Sequence, residues 1–159
     1  MYSNASVNFM REAIRLSIEN VETGKGGPFA AVIVKEGKII ATGVNEVTDS
    51  NDPTAHAEVV AIRKACRQLN SFQLDGCEIY CSCEPCPMCL GAIYWARPAK
   101  LYFANTKEDA AEIDFDDHFI YREIELGYTK RQLPTQQLLR NEALEAFKKW
   151  EASPLKKKY

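Results

Sequence analysis

Along the first twenty positions the apolar residues recur at a helical spacing. Met10, Ala13, Ile14 and Val21, with the small Ser17, fall close to one face, which predicts a helix over residues 7–21. Gly24-Lys25-Gly26-Gly27-Pro28 breaks that period. A continuous β-prone run then covers Phe29 to Lys35, and Glu36-Gly37-Lys38 turns it into a second strand, Ile39 to Val44. The two are expected to pair as an antiparallel hairpin. Asn45 to Thr54 is polar, and Asp52-Pro53-Thr54 reads as the start signal of a helix over residues 55–69. A strand at Glu78–Cys83, a helix from about Cys86 to Ala96 and a strand at Lys100–Ala104 follow. A short helix near Lys107–Glu112 and a longer one over residues 136–150 complete the series. Leu139, Ala143, Ala146, Phe147 and Trp150 form the expected inward side of the last helix. An opening hairpin followed by alternating strands and helices predicts an α/β fold with a mixed central sheet covered by helices.

With 159 residues, no internal repeat and no low-complexity linker, the pattern reads as a single domain, residues 1–159. A net charge of −2 shows no electrostatic footprint for nucleic acid, which speaks against a polynucleotide substrate. Arg11, Glu12, Arg15 and Glu19 interrupt the first twenty residues, so neither a signal segment nor a membrane span is expected. The expected setting is the cytoplasm, where the six cysteines would remain thiols. Such a cluster of thiols reads as metal-binding or buried.

Two short segments carry the chemistry: His56-Ala57-Glu58 and Pro85-Cys86-Pro87-Met88-Cys89. A lone histidine near a helix start is usually a cap or a core residue, and Cys-x-x-Cys alone fits redox and structural-metal sites as well. Together they offer Zn2+ one imidazole and two thiolates, a donor set it takes readily. Three protein ligands leave a fourth position for water, the mark of a catalytic site. Residues two apart on a helix point about 200° apart, so His56 and Glu58 can serve one site only at the helix entrance. Cys81 and Cys83 offer an alternative, an all-thiolate site. Their alternation with Ile79 is instead that of core-facing strand residues, and Cys66 and Cys77 also read as packing residues.

His-x-Glu followed by Pro-Cys-x-x-Cys is the arrangement of zinc deaminases. On these residues the chain resembles the cytidine-deaminase superfamily and, within it, the guanine-deaminase branch. Gly26-Gly27-Pro28-Phe29, the run from Asn51 to Glu58, Ser82 to Ala96, Phe115-Asp116-Asp117 and Phe119-Ile120-Tyr121 share the likeness. It departs at Ala30 and Asp114, where glycine is expected. The resemblance implies a three-layer αβα cytidine-deaminase-like fold and a homodimer. It also implies that the C-terminal segment, about residues 135–159, is exchanged between subunits, making the tail at Tyr159 a lid. Read without the resemblance, Lys156-Lys157-Lys158-Tyr159 is a solvated tail.

The implied reaction is hydrolysis of guanine by water to xanthine and ammonia, with His56, Cys86 and Cys89 on zinc and Glu58 shuttling protons. For the base itself, Phe29 and Trp95 offer aromatic faces, though either also reads as core. Asn45 offers a paired donor and acceptor, or else a turn residue, and the Ala57 N–H at a helix start offers a donor. Asp117 would accept from the ring N–H that a nucleoside lacks. Asp116 and Asp117 also read as a solvated loop, or as the first turn of a helix, where negative charge is favourable. Adenosine deamination in transfer RNA and deamination of cytosine remain open, as does a non-enzymatic module built on structural zinc. The tRNA reading wants a basic groove that this composition does not supply.

Overall fold

A two-residue turn, Glu36-Gly37, with both residues at positive φ (50° and 73°), folds β1 (Ala30–Lys35) back along β2 (Lys38–Val44). Positive φ at both positions gives a turn whose twist matches the strands it joins. The register runs from Ala30 opposite Val44 to Lys35 opposite Lys38, with an irregularity between Ile33 and Val34. The computed structural model describes residues 3–159. Among these, β3 (Cys77–Cys83) pairs antiparallel with β1, and β4 (Lys100–Asn105) pairs parallel with β3, giving the order β2-β1-β3-β4. The mixed sheet expected from the sequence is present.

Helices cover both faces. Helix α1 (Asn4–Glu22) lies on one, where Ala13 packs with Val32, Val34 and Tyr80, flanked by Phe9, Met10, Leu16 and Tyr102. On the other face α3 (Ala57–Leu69) and α4 (Pro87–Ala96) bury Ala57, Ala61, Ala65, Ile93 and Ala96 against Ala31, Ile33, Ile79 and Cys81. The small residues of α3 allow close approach to the sheet. These are the three αβα layers.

The local boundaries differ from expectation in instructive ways. On α1 the buried line is Ala13, Ser17 and Asn20, while Ile14 and Val21 are exposed, so the inward stripe is rotated from the predicted one. The start signal at Asp52 closes a turn: its Oδ1 accepts from the N–H and Oγ1 of Thr54 at 2.8 and 2.7 Å. Helix α3 therefore begins at Ala57, two residues later than expected. A single helical turn, α2 (Val47–Ser50), lies in the stretch read as loop, and α5 (Lys107–Ala111) opens with a capping box on Thr106 and Asp109.

The chain divides into two compact units, the first ending at Asp117 and the second spanning His118–Tyr159. The second contains α6 (His118–Glu125), which the periodicity did not announce, a 3-10 turn at Tyr128–Lys130, and α7 (Arg140–Ala152). Leu139 adopts φ 52° and caps α7, so residues 136–139 precede the helix rather than form its first turn. The predicted inward residues Leu139, Ala143, Ala146, Phe147 and Trp150 are all exposed, and Phe147 is 73% accessible. An apolar helical stripe is buried only where another element covers it, and none of this unit's elements covers this one.

Candidate active site

Helices α3 and α4 both begin at one place. His56 is the N-cap of α3 and Cys86 the N-cap of α4, each in extended backbone conformation, with Pro87 at the first position of α4. Proline is preorganised for that position, and its missing N–H costs nothing there. Neither cap residue is inside regular helix, so the 200° separation that would part His56 from Glu58 does not apply. The His56 Nδ1 lies 3.6 Å from the Cys86 Sγ. One donor atom from each of His56, Cys86 and Cys89 lies within 4.8 Å of the other two. An imidazole and two sulfurs converging in this way suit Zn2+, and Cys81 and Cys83 are not part of the cluster. Cys81 is packed in the core between sheet and helices, and the Cys83 thiol points to the Thr106 carbonyl at 3.5 Å. Cys77 is buried as expected, whereas Cys66 is only half-buried.

The electrostatics favour charged sulfur. A hydrogen bond from the Cys89 thiol, opposed by burial and joined by one from His56, brings the Cys86 thiol down to about 4. Cys89 moves the other way, first because its proton is held against Cys86 and then because it is buried. The Cys86 thiolate in turn raises the His56 ring above its usual range, against the effect of burial. Glu58 is 8% accessible, and burial raises its carboxyl, partly offset by its own backbone N–H and by Cys89. A carboxyl so placed holds a proton more readily than an exposed one.

Next to this cluster in the fold, two segments meet at the start of β1. The Phe29 N–H donates to the Gly27 carbonyl at 2.8 Å, and the Asn45 N–H donates to the Phe29 carbonyl at 3.0 Å. Asn45 is buried, and its Oδ1 accepts from the Val47 N–H at 3.3 Å. Phe29 is half-buried and meets Phe115 edge-on, with ring centroids 4.9 Å apart. Phe115 was named in the sequence only among the residues that carry the family likeness, with no role at the site. It brings its own segment to Phe29, two residues before the half-buried Asp117. Asp114 takes φ 69°, which explains why glycine is expected there; aspartate is among the few other residues that tolerate it. Ala30 is buried, and its N–H donates to the Ser82 Oγ at 3.0 Å.

Ala57 is fully buried at the first position of α3, where helix N–H groups lack an intrahelical acceptor. Trp95 lies on the outer side of α4, away from Cys89, Ile93 and Ala96, and is 63% accessible, so it is not core in this chain. Tyr159 is the last residue of the second unit and is 69% accessible. Asn20 was also overlooked; the available signal was its amide on the buried line of α1, i+7 from Ala13.

Comparison with known proteins places this geometry in context. The cytidine and deoxycytidylate deaminase zinc-binding region matches residues 3–105. The guanine deaminase of Bacillus subtilis (strain 168) is 56% identical over 151 residues, 95% of this chain and 97% of that protein. Its X-ray structure superposes with a TM-score of 0.93, covering 96% of this chain and 97% of that one. The tRNA-specific adenosine deaminase of Aquifex aeolicus (strain VF5) is 46% identical over 96 residues, 60% of this chain and 63% of that protein. The structure of guanine deaminase from Nitrosomonas europaea aligns at 33% identity and a TM-score of 0.67, covering 74% of this chain and 66% of that one.

Proposed function

Because the chain belongs to the cytidine and deoxycytidylate deaminase zinc-binding family, we infer that it is a zinc-dependent aminohydrolase converting guanine and water to xanthine and ammonia. The observation that carries the reading is the His56–Cys86–Cys89 cluster with the buried Glu58 beside it. Zinc held by those three residues supplies the Lewis acidity that makes water a nucleophile near pH 7. Glu58 Oε takes the proton that water gives up as its oxygen bonds to C2 of guanine. It passes that proton to the adjacent ring nitrogen, takes the remaining one from the hydroxyl now on C2 and gives it to the exocyclic amine, so that the C2–N bond breaks, the C2 carbonyl of xanthine forms and ammonia leaves. Phe29, with Phe115 against its edge, offers the face of the flat base a wall. Asn45 and the Ala57 N–H offer hydrogen bonds to its polar edge, and Asp117 an acceptor for the ring N–H of the free base. The wide exposure of Trp95 and Tyr159 suits residues completed by another part of the assembly.

The test is ammonia release from guanine, guanosine, adenine, cytosine and a transfer-RNA anticodon stem-loop, with Glu58→Gln as control. Turnover of guanine alone, lost by about 10² to 10⁴-fold or more in a control that keeps its zinc, is the expected result. Turnover of the stem-loop or of cytosine instead would replace the substrate, and loss of zinc from Glu58→Gln would remove the role given to Glu58.

The active form is a homodimer with the C-terminal segment exchanged. In the unit His118–Tyr159 no residue is buried, although it carries Leu133, Leu138, Phe147, Trp150 and Leu155. Apolar surface of that extent marks an interface. Mixing Glu58→Gln with Tyr159→Ala chains and refolding them together is expected to restore activity that neither has alone. Failure of that complementation would place Tyr159 in its own subunit's site. All six cysteines are free of disulfides, which fits a cytoplasmic setting.

A further inference from the structure

We propose that Asn20, on α1 and remote in sequence from every residue of the zinc cluster, is a positioning residue for recognition of the base. The proposal rests on the roles given above to Phe29 and Asn45. Asn20 is 3% accessible. Its Nδ2 donates to the Gly27 carbonyl at 2.9 Å and to the Asn45 carbonyl at 3.0 Å. One buried amide therefore uses both of its N–H bonds to tie together two chain segments, one leading into Phe29 and the other carrying Asn45.

The surrounding backbone leaves this tie little alternative. The Gly27 carbonyl also accepts from the Phe29 N–H, and the Phe29 carbonyl accepts from the Asn45 N–H. The two recognition residues are thus joined directly through the Phe29 carbonyl, and Asn20 holds the Gly27 and Asn45 carbonyls on either side of that bond. At Gly26 an added Cβ would lie 2.2 Å from the Asn45 carbonyl oxygen and 3.1 Å from the Asn20 Nδ2. The loop passes so close that only glycine fits, and the amide fills the remaining polar space. Serving two carbonyls at once requires an NH2 group at this distance from α1. A buried carbonyl left without a donor seeks another partner, which moves its segment. Loss of the tie thus displaces Phe29 and Asn45 while leaving His56, Cys86 and Cys89 on the far face of the sheet.

The test is a double-mutant cycle with Asn20→Ala and Asn45→Ala, reading KM and kcat for guanine together with bound zinc. Asn20→Ala is expected to raise KM about tenfold, with kcat changed less than about threefold and zinc unchanged, as befits lost ground-state binding. In the Asn45→Ala background the same change is expected to raise KM no more than about threefold, because only the part acting through Phe29 remains. Equal effects in both backgrounds, or a fall in active fraction at unchanged KM, would make Asn20 merely structural. So would an unchanged KM in Asn45→Ala. Should Asn20→Ala not fold, Gly26→Ala enters the same tie from the loop side. It is expected to show the same KM rise and the same dependence on Asn45, and additive behaviour there overturns the proposal equally. Wild-type protein that releases no ammonia from guanine would overturn the proposed function and this role together, a result distinct from an active wild type with an uncoupled Asn20.

Discussion

Replacing Gly43 with alanine probes how closely the metal-binding helix depends on the sheet beneath it. Gly43 lies in β2 opposite Ala31. A Cβ there would stand 2.2 Å from the Ala57 carbonyl oxygen, 2.6 Å from the Ala61 nitrogen and 3.1 Å from the Ala61 Cβ. The first two are backbone atoms of α3, so no rotamer change relieves them. Ordinary contact begins at 3.4 Å, so the helix must retreat from the sheet by about 1 Å. Ala57 sits between His56 and Glu58, and the retreat carries both away from Cys86 and Cys89, which are fixed on α4. Misplacement by about 1 Å costs about 10²-fold in rate. Overpacking of this kind costs about 1–3 kcal/mol, or a Tm lower by about 2–12 °C in a chain of this size. The assay is kcat/KM for guanine with zinc content and Tm measured on the same preparation. The expected result is a folded protein at assay temperature with kcat/KM down about 10²-fold. Adding Ala61→Gly is expected not to rescue it, since that removes only the 3.1 Å contact. Wild-type kcat/KM and Tm in Gly43→Ala would refute the argument that this contact positions the helix.

Other groups give sharper chemical readouts. In protein stripped of zinc, Cys86, with its thiol down to about 4, is expected to alkylate first. Its rate is set by a thiolate already formed, so it is flat between about pH 6 and 8 and falls only toward pH 4. A Cys86 rate that climbs tenfold per pH unit above pH 7, followed by peptide mass spectrometry, would refute the assignment. Cys83, pushed up to about 11 mainly by burial, is expected to stay unmodified over the same range. Ser82→Ala removes the acceptor of the buried Ala30 N–H, and an unsatisfied buried donor costs about 1–3 kcal/mol. Denaturant unfolding monitored on the zinc-loaded protein measures this, and a loss under about 0.5 kcal/mol would show that the N–H finds another partner.

Elements with a strong period and local chemistry at their ends were legible in the chain before any tertiary contact. The β1–β2 hairpin was legible because Glu36-Gly37 encodes its turn, and the candidate zinc ligands because His-x-Glu and Pro-Cys-x-x-Cys each specify donor type and spacing. The demand that His56 stand at a helix entrance followed from helical geometry, and the structure meets it at the N-cap of α3. The features that local patterns missed depend mostly on contacts between segments distant in the chain. The inward face of α1 is set by where the sheet lies, so Asn20 rather than Ile14 or Val21 is buried. The Asp52 turn is a local exception, since its carboxylate reaches Thr54, two residues on, before the helix begins. The tie from Asn20 to Gly27 and Asn45, the edge contact of Phe115 on Phe29 and the close approach at Gly43 leave no mark in local periodicity. The α7 stripe looks inward by its spacing, yet spacing states only that a face is apolar; whether another element covers it is decided by the packing, and here its residues are exposed.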